Sequence, residues 1–395
     1  MRIIIPFLFM IFLLIGCKEQ DDVRMHSYKP VDNGLVVSLD MAIDAATYFL
    51  YMTDNQIQTR KAVRDVKDVS IIKQRFTING FNGKPAMHVI NYENGGYTIV
   101  SGDKRIQPII AYSDVGEWDD DISHYPDGLQ YWIECIKNEI KAMDEQGVEQ
   151  TEEIRRIWDT YIPVTSTRII TPPSHPCEHP EDSEVLVGPL INTSWNQGSP
   201  YNELMPMVLN CSGTDSIKAA AGCVPVAVGQ VGNYWQYPTS YSWNSMGNNA
   251  VIANFIKDIH DYYLSIPALS YLCNGETGVI IPQISKIFSV YWGYNTVYSS
   301  AYSTNNLRNH FYNNTNVPLI LTGYSGNNAH TWICDGYYEW INCFYIEDNW
   351  QWSTESRFHM NWGWGSNYNG WFIPGTTYSQ NGYTFGGITI LHVLP

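Results

Sequence analysis

The order of apolar positions in the first 162 residues predicts a small α+β domain. Residues 40–51 repeat apolar side chains at helical spacing, with Asp40 as a cap. The strand-like stretches that follow are residues 69–78, 87–92, 97–101 and 107–112. A Gly-Gly turn between the second and third of these is typical of a β-hairpin. Two further helical stretches, residues 129–143 and 152–162, complete the domain.

A different pattern begins after residue 162. Residues 163–184 contain five prolines among Ser, Thr, Asp and Glu, which predicts an exposed linker that proteases can cut. From residue 185 the chain becomes rich in aromatic residues, and 11 of its 14 tryptophans follow that point. The pattern therefore divides the protein into an N-terminal domain (17–162), a linker that carries an activation cleavage (163–184) and a C-terminal domain (185–395).

One cysteine stands at the start of the best helical pattern in the C-terminal domain. Val224, Val228 and Val231 fall on one helical face, and Pro225 is tolerated only in a first turn because it has no N–H. Cys223 is therefore predicted at a helix N-terminus, where unpaired N–H groups and the helix dipole favour the thiolate. The alternative is a buried, inert cysteine.

The first 17 residues have the pattern of an export signal. Arg2 precedes an apolar stretch over residues 3–15, which is too short to span a bilayer as a stable helix. Residues 14–17 (LIGC) resemble a bacterial lipobox, so we expect a signal peptide (1–16) and a lipid on Cys17. This predicts an exported lipoprotein of the cell envelope, held at the outer membrane and facing the periplasm or the surface, with release after maturation left open. A plain secretory signal is the alternative.

The net charge of the chain bears on which classes of molecule it binds. The formal net charge of −16 argues against a nucleic-acid partner. Residues 186–395 carry 5 Lys/Arg and 10 Asp/Glu, so most of the acidity lies in the N-terminal half.

No Cys-x-x-Cys pair, His/Cys spacing or glycine-rich loop predicts a metal or another cofactor. The composition predicts two domains with different roles.

Thiol catalysis needs a base near the sulfur, and three histidines of the C-terminal domain compete for that role. His330 opens an alternating, strand-like stretch directly after the turn residues 323–328, which places it where a loop enters a sheet. His310 and His359 are the competitors. A base of this kind takes the thiol proton and later returns it to the leaving amine.

Two polar segments carry candidates for the other groups of a thiol-catalytic site, namely a residue that orients the base and a donor to the oxyanion. Asn361 and Trp362 open the sequence NWGWG, in which the amide could fix one imidazole tautomer and the indole could shield that bond from water. Glycines that alternate with indoles also suit a close approach of the backbone to a bound molecule. Gln197 lies in a Gly/Pro loop (WNQG) and is the type of donor that an oxyanion hole uses. An aromatic sugar-binding patch is the alternative for NWGWG.

The order WNQG, GCV, His330 and NWGWG resembles that of the streptopain-type cysteine peptidases, which have a papain-like fold. Residues 95–103 (GGYTIVSGD) and 110–114 (IAYSD) resemble their propeptide. The resemblance implies an α+β protein, a papain-like peptidase domain preceded by a small α+β propeptide domain that inhibits it. It implies a zymogen of a cysteine endopeptidase that acts on a protein or peptide substrate.

The resemblance also implies a role for each residue of the site. Cys223 is the nucleophile and His330 its base. Gln197 and the Cys223 N–H form the oxyanion hole, Asn361 orients His330, and Trp362 covers the pair. Trp364 and Gly365 are candidates for substrate binding.

The sequence departs from the family pattern near the cleft. Asn328-Ala329 replaces the usual Gly-Gly before the histidine, Pro225 follows the nucleophile, and residues 339–357 are longer than the usual hairpin. These departures keep two alternatives open, namely a surface binding or inhibitory protein with a vestigial site, and an amidase that cleaves cell-wall peptide. Six other cysteines allow 15 disulfide pairings, with Cys334 and Cys343 as one candidate pair across a hairpin.

Overall fold

The structure is a computed structural model that describes residues 34–58, 71–162, 185–313, 316–325, 328–346, 349–373 and 388–395. The predicted signal peptide, Cys17 and the 163–184 linker lie outside these residues. The α-helices in the described part of the chain are α1 (Leu39–Gln58), α2 (Asp127–Glu145), α3 (Glu152–Tyr161), α4 (Cys223–Trp235), α5 (Asn249–Ser265) and α6 (Thr304–Asn313). None of the helices described here is both long and apolar enough to cross a membrane.

The strands of the N-terminal domain are β1 (Ile72–Asn79), β2 (Pro85–Tyr92), β3 (Tyr97–Ser101) and β4 (Ile109–Ser113). The strands of the C-terminal domain are β5 (Val185–Val187), β6 (Met207–Leu209), β7 (Ser216–Lys218), β8 (Leu269–Tyr271), β9 (Thr277–Val279), β10 (Thr296–Ala301), β11 (Leu319–Ser325), β12 (Asn328–Ile346), β13 (Asn349–Asn361), β14 (Gly370–Phe372) and β15 (Thr389–Leu394). The predicted order of helix, antiparallel meander and two helices in the N-terminal domain is confirmed.

One sheet joins the two domains. Its strand order is β1-β2-β3-β4-β14-β13-β12-β11-β15-β10, and β5 pairs with β12 on the side. The connection between the domains is the antiparallel pairing of β4 with β14, where Tyr112 lies opposite Trp371 and Ala111 lies opposite Phe372. Two domains that differ in composition therefore share one hydrogen-bonded framework.

The two faces of this sheet bury different cores. Because successive strand residues point to opposite faces, Trp332 and Cys334 of β12 lie in one core and Ile333 lies in the other. The first core is shared with the N-terminal domain through α2, which packs against β11 and β12. The second core belongs to the C-terminal domain and contains α4 and α5. The N-terminal domain thus covers the face of β12 opposite to α4.

A second contact between the domains surrounds a buried arginine of β13. Nη2 of Arg357 donates to the carbonyl oxygen of Ile109 at 3.1 Å. Its guanidinium lies 5.8 Å from the ring centre of Phe49 and 5.5 Å from that of Tyr112. Cation–π contacts gain strength when water is excluded, so the burial of Arg357 favours the docked arrangement of the domains.

Candidate active site

The predicted cysteine occupies the predicted place at a helix N-terminus. Cys223 is the first residue of α4, and Gly222 caps the helix with a φ of +86°. A Cβ at Gly222 would lie 3.0 Å from the carbonyl oxygen of Thr277, so both the backbone angle and the space require glycine. Pro225 falls in the first turn, where its missing N–H costs no helical hydrogen bond. The partly buried Cys223 therefore stands at the positive end of the α4 dipole, as the sequence predicts.

The WNQG segment lies directly beside this helix start. The carbonyl oxygen of Gln197 accepts a hydrogen bond from the Ala221 N–H at 2.8 Å. On its other side, the carbonyl oxygen of Trp195 accepts from the Gly365 N–H at 3.0 Å. The segment thus connects the cysteine loop to the NWGWG sequence, and it brings the amide-bearing residue Gln197 next to the nucleophile.

A buried glutamine of α4 holds the segment and Asn361 together. Oε1 of Gln230 accepts from the Trp195 N–H at 3.2 Å and from Asn361 Nδ2 at 3.3 Å. Asn361 Nδ2 also donates to the carbonyl oxygen of Thr193 at 3.0 Å, and its Oδ1 accepts from the Gly363 N–H at 3.2 Å. Gln230 follows Cys223 by two helical turns and so shares its face of the helix.

The NWGWG sequence forms a turn that packs on the first turn of α4. Gly363 and Gly365 both have a φ of +76°, which allows the turn to present the half-exposed Trp364 between them. A Cβ at Gly363 would lie 3.3 Å from Cγ1 of Val226. Asn369 closes the turn, because its Oδ1 accepts from the Trp362 N–H and its Nδ2 donates to the Gly365 oxygen, each at 3.0 Å.

His330 lies in an aromatic environment on the propeptide side of the sheet. It is the third residue of β12, inside the strand rather than at the loop where the sequence placed it. Its ring stacks on Trp332 at 6.1 Å, and its Nε2 lies 3.1 Å from the Trp362 carbonyl oxygen. Because a carbonyl only accepts, Nε2 carries the proton. Burial lowers the pKa of His330 to about 4, so the imidazole is neutral here.

The N-terminal domain contributes to this burial, together with Trp332 and Trp362 of the C-terminal domain. A Cβ at Gly128, the second residue of α2, would lie 2.6 Å from Cδ2 of His330 and 3.1 Å from the Trp362 ring. Further along, the hydroxyl of Tyr97 donates to the Tyr368 carbonyl oxygen at 3.0 Å. A Cβ at Gly116 would lie 2.6 Å from the Ser366 oxygen. The N-terminal domain therefore covers both the histidine and the turn that follows NWGWG.

The structure places the predicted site residues in two groups. The WNQG segment that bears Gln197 is hydrogen-bonded through its backbone to Ala221, two residues before Cys223, and to Gly365, whereas His330 contacts Trp362. In this state the described hydrogen bonds of Asn361 involve Thr193, Gln230 and Gly363, so its role in orienting His330 stays a prediction.

The two competing histidines have other partners. Nε2 of His310 lies 2.8 Å from the Val317 oxygen, and Nδ1 of His359 lies 2.6 Å from Oδ1 of the buried Asp335. Reasoning from the sequence alone missed Gln230, Asn369 and Gly128. Of these, Gln230 had a visible signal, because it is a polar residue on an otherwise apolar helix.

A disulfide connects the two hairpins that flank the cysteine loop. Cys211 follows β6 and Cys273 follows β8, and their sulfurs are bonded. The candidate pair of Cys334 and Cys343 is wrong, because Cys334 is a buried thiol. Both residues lie nine positions apart on β12, and about 3.3 Å per residue places them far beyond the reach of a disulfide.

Two family models match the chain in the expected order. The model described as Spi protease inhibitor matches residues 34–140, and the model described as peptidase C10 family matches residues 195–271 and 241–372. Residues 195–372 therefore match the peptidase C10 family. The predicted resemblance to streptopain-type cysteine peptidases, with an inhibitory propeptide domain, is therefore confirmed.

Two curated relatives are similar to parts of the chain. The thiol protease/hemagglutinin PrtT of Porphyromonas gingivalis is 22% identical over 316 residues, which cover 71% of this chain and 32% of the relative. Streptopain of Streptococcus pyogenes is 28% identical over 201 residues, which cover 48% of this chain and 43% of streptopain. Both alignments span less than half the length of the relative.

A solved structure shares the fold of the chain. A fragment of Prevotella intermedia prointerpain A that carries one cysteine-to-alanine mutation superposes with a TM-score of 0.53. The match has 17% identity and covers 80% of this chain and 97% of the fragment. The predicted fold class, an α+β peptidase domain preceded by a propeptide domain, is confirmed at the level of the fold.

Proposed function

We propose that the protein is a latent cysteine endopeptidase that cleaves peptide bonds through Cys223 and His330. The observation that carries the proposal is the position of Cys223 at the start of α4, between the loops that bear Gln197 and NWGWG. A thiolate in this place attacks the substrate carbonyl carbon, and the Cys223 N–H and the Gln197 amide stabilise the oxyanion. The amine then leaves with the proton that His330 holds, and water releases the acyl group.

Latency follows from the environment of His330. An imidazole with a pKa of about 4 has little tendency to accept the thiol proton, so it cannot form the ion pair that activates a cysteine. Removal of the propeptide exposes the ring to water, which returns the pKa toward about 6.5. A cut in the 163–184 linker would make this removal possible.

Hydrolysis of an unstructured protein such as casein tests the proposal. The full chain is nicked in the linker, freed of the propeptide, and assayed beside the Cys223→Ala and Cys334→Ala variants. We expect Cys223→Ala to lose activity by more than about 10³-fold without unfolding, whereas Cys334→Ala retains it. Activity that survives Cys223→Ala would contradict the proposal. Peptidoglycan assayed in parallel separates a cell-wall amidase from a peptidase.

We also propose that the protein is exported as a lipoprotein of the cell envelope, with the lipid on Cys17. The supporting observation is the LIGC sequence after an apolar stretch of signal-peptide length. Cells fed a clickable palmitate analogue should label the wild-type protein and leave Cys17→Ala unlabelled. Equal labelling of both proteins would contradict the lipid anchor.

A further inference from the structure

The segment that leads to the nucleophile is hydrogen-bonded on both sides. We call residues 219–222 the nucleophile loop. The N–H groups of Ala219, Ala220 and Ala221 donate to the carbonyl oxygens of Pro206, Gly275 and Gln197 at 3.0, 2.8 and 2.8 Å. The carbonyl oxygens of the same residues accept from Asn202 Nδ2 at 3.1 Å, Thr277 Oγ1 at 2.6 Å and His260 Nε2 at 2.7 Å. The side-chain bond that lies nearest to Cys223 is therefore the one from His260.

His260 is a buried residue of α5 with a defined proton position. Since Ala221 offers a carbonyl oxygen, Nε2 of His260 must carry the proton. Nδ1 is then an acceptor, and the Tyr271 hydroxyl lies 3.0 Å from it. The Tyr271 ring also stacks on the imidazole at 5.7 Å, which fixes its plane.

His260 is neutral, so its Nε2–H donor keeps its proton over a wide pH range. Burial lowers its pKa to about 4, although the carbonyl of Ala221 and the carboxylate of Asp261 act in the opposite direction and Lys257 adds to the lowering. Asp261 and Lys257 belong to α5 itself, and Tyr271 faces the ring from β8. The imidazole stays neutral at the pH at which thiol peptidases work, so the hydrogen bond to Ala221 persists.

We propose that His260, oriented by Tyr271, is a positioning residue for Cys223. The inference rests on the proposed function. Between Ala221 and Cys223 stands Gly222, which has no side chain to restrict its backbone. The bond from His260 fixes the plane of the Ala221–Gly222 peptide, and that plane sets the direction of the Cys223 N–H and sulfur. His260 acts through the backbone and does not touch the substrate.

The chain offers a matched control for a purely structural histidine. His310 is also buried, also has its pKa lowered by burial, and also lies within hydrogen-bond distance of a backbone carbonyl, at 2.8 Å from Val317. It belongs to α6 rather than to the neighbours of the nucleophile loop. A loss caused only by weaker packing should therefore appear in both variants.

The experiment compares H260L, H260Q, Y271F and H310L with the wild type. Each full chain is nicked in the linker and freed of the propeptide, and active sites are counted by iodoacetamide labelling of Cys223. The readouts are kcat per labelled thiol, KM for one peptide substrate, and the melting temperature.

We expect H260L to lower kcat about 30-fold with KM within about 3-fold, because small displacements of reacting groups cost rate more than binding. H260Q should recover to within about 3-fold of the wild type, since its amide can donate to the same carbonyl. Y271F should lose about 3-fold, and H310L should change the melting temperature while kcat stays within about 2-fold.

An H260L variant that keeps kcat within about 2-fold would overturn the inference. H260Q no better than H260L, or H310L as impaired as H260L, would also overturn it. If H260L does not fold, H260Q and Y271F provide the test. A folded but fully inactive H260Q, together with a wild-type kcat in Y271F, would contradict the proposed hydrogen-bond chain. An inactive wild-type enzyme would instead overturn the proposed function, and the inference with it.

Discussion

The two halves of the proposed catalytic pair are held in different ways. The six described hydrogen-bond partners of Ala219, Ala220 and Ala221 in the nucleophile loop all lie within residues 197–277, inside the C-terminal domain. His330, by contrast, packs against Gly128 of the propeptide domain, and burial lowers its pKa. In the proposed latent state the propeptide therefore acts on the base, while the nucleophile side is held within the C-terminal domain.

The largest expected effect comes from removing the base. His330→Ala in the propeptide-free enzyme should lower kcat by about 10³-fold or more, because no other group takes the thiol proton. At a pH above about 9, where the thiol ionises unaided, Cys223 should still react with iodoacetamide, since the nucleophile loop is intact. A loss below about 10-fold would show that another residue is the base.

The next largest effect concerns the nucleophile side. The bond between Cys211 and Cys273 ties the β6–β7 hairpin to the β8–β9 hairpin, and each hairpin adjoins residues that hold the nucleophile loop. The double variant Cys211→Ser/Cys273→Ser should lower the free energy of unfolding of the full chain by about 4 kcal/mol, the value for a loop of this length. Denaturant titration measures this, with Cys334→Ala as the control. A change below about 1 kcal/mol would mean that the hairpins hold without the bridge.

A smaller effect is expected at the contact between the propeptide and His330. Gly128→Ala places a methyl group 2.6 Å from the His330 ring and 3.1 Å from the Trp362 ring, at a cost of about 1–3 kcal/mol. The intact full chain should therefore show higher activity before cleavage than the wild type. The matched control is Gly80→Ala, where the nearest atoms lie 3.6 and 3.8 Å from the new Cβ. Equal activity in both variants would contradict the role of this contact.

The last effect concerns the response of the docked propeptide to acid. The pKa of His330 is about 4 in the docked state and should be near 6.5 when released. Between pH 6.5 and pH 4 the released histidine is protonated while the docked one is not. Docking of the propeptide therefore has its full stability above pH 6.5, weakens as the pH falls toward 4, and loses no more stability below pH 4. The expected change is at most about tenfold per pH unit.

Hydrogen exchange of the β4 amides can measure this release in the inactive Cys223→Ala chain. The ratio of the measured exchange rate to the intrinsic rate at the same pH should increase as the pH falls from 6.5 to 4. Adding His330→Gln should flatten the dependence, because the group that titrates is gone. An unchanged dependence in that double variant would assign the acid response to other groups.

The sequence predicted the local parts of this protein well. The cysteine at a helix start could be read from Pro225 and the valine period, and the propeptide meander could be read from its turns. Both features depend on neighbours in the chain. The hairpin pair of Cys334 and Cys343 failed because β12 continues through both positions.

The parts that the sequence did not predict depend on distant contacts. The pairing of β4 with β14 joins residues about 260 positions apart, and no local pattern encodes such a register. The contact of Gly128 with His330, and that of His260 with Ala221, likewise arise only when separate elements pack together. Of these contacts, the β4–β14 pairing and the contact of Gly128 with His330 are the ones that the proposed removal of the propeptide would break.

The pH dependence of Cys223 alkylation shows whether His330 activates the thiol only after propeptide removal. Iodoacetamide labelling rates are measured from about pH 5 to pH 10 in the intact chain, in the propeptide-free enzyme, and in the propeptide-free His330→Ala variant. We expect fast labelling well below pH 8 only in the propeptide-free wild type, and its loss in the variant. Equal profiles before and after propeptide removal, or a profile that His330→Ala leaves unchanged, would contradict this role of His330.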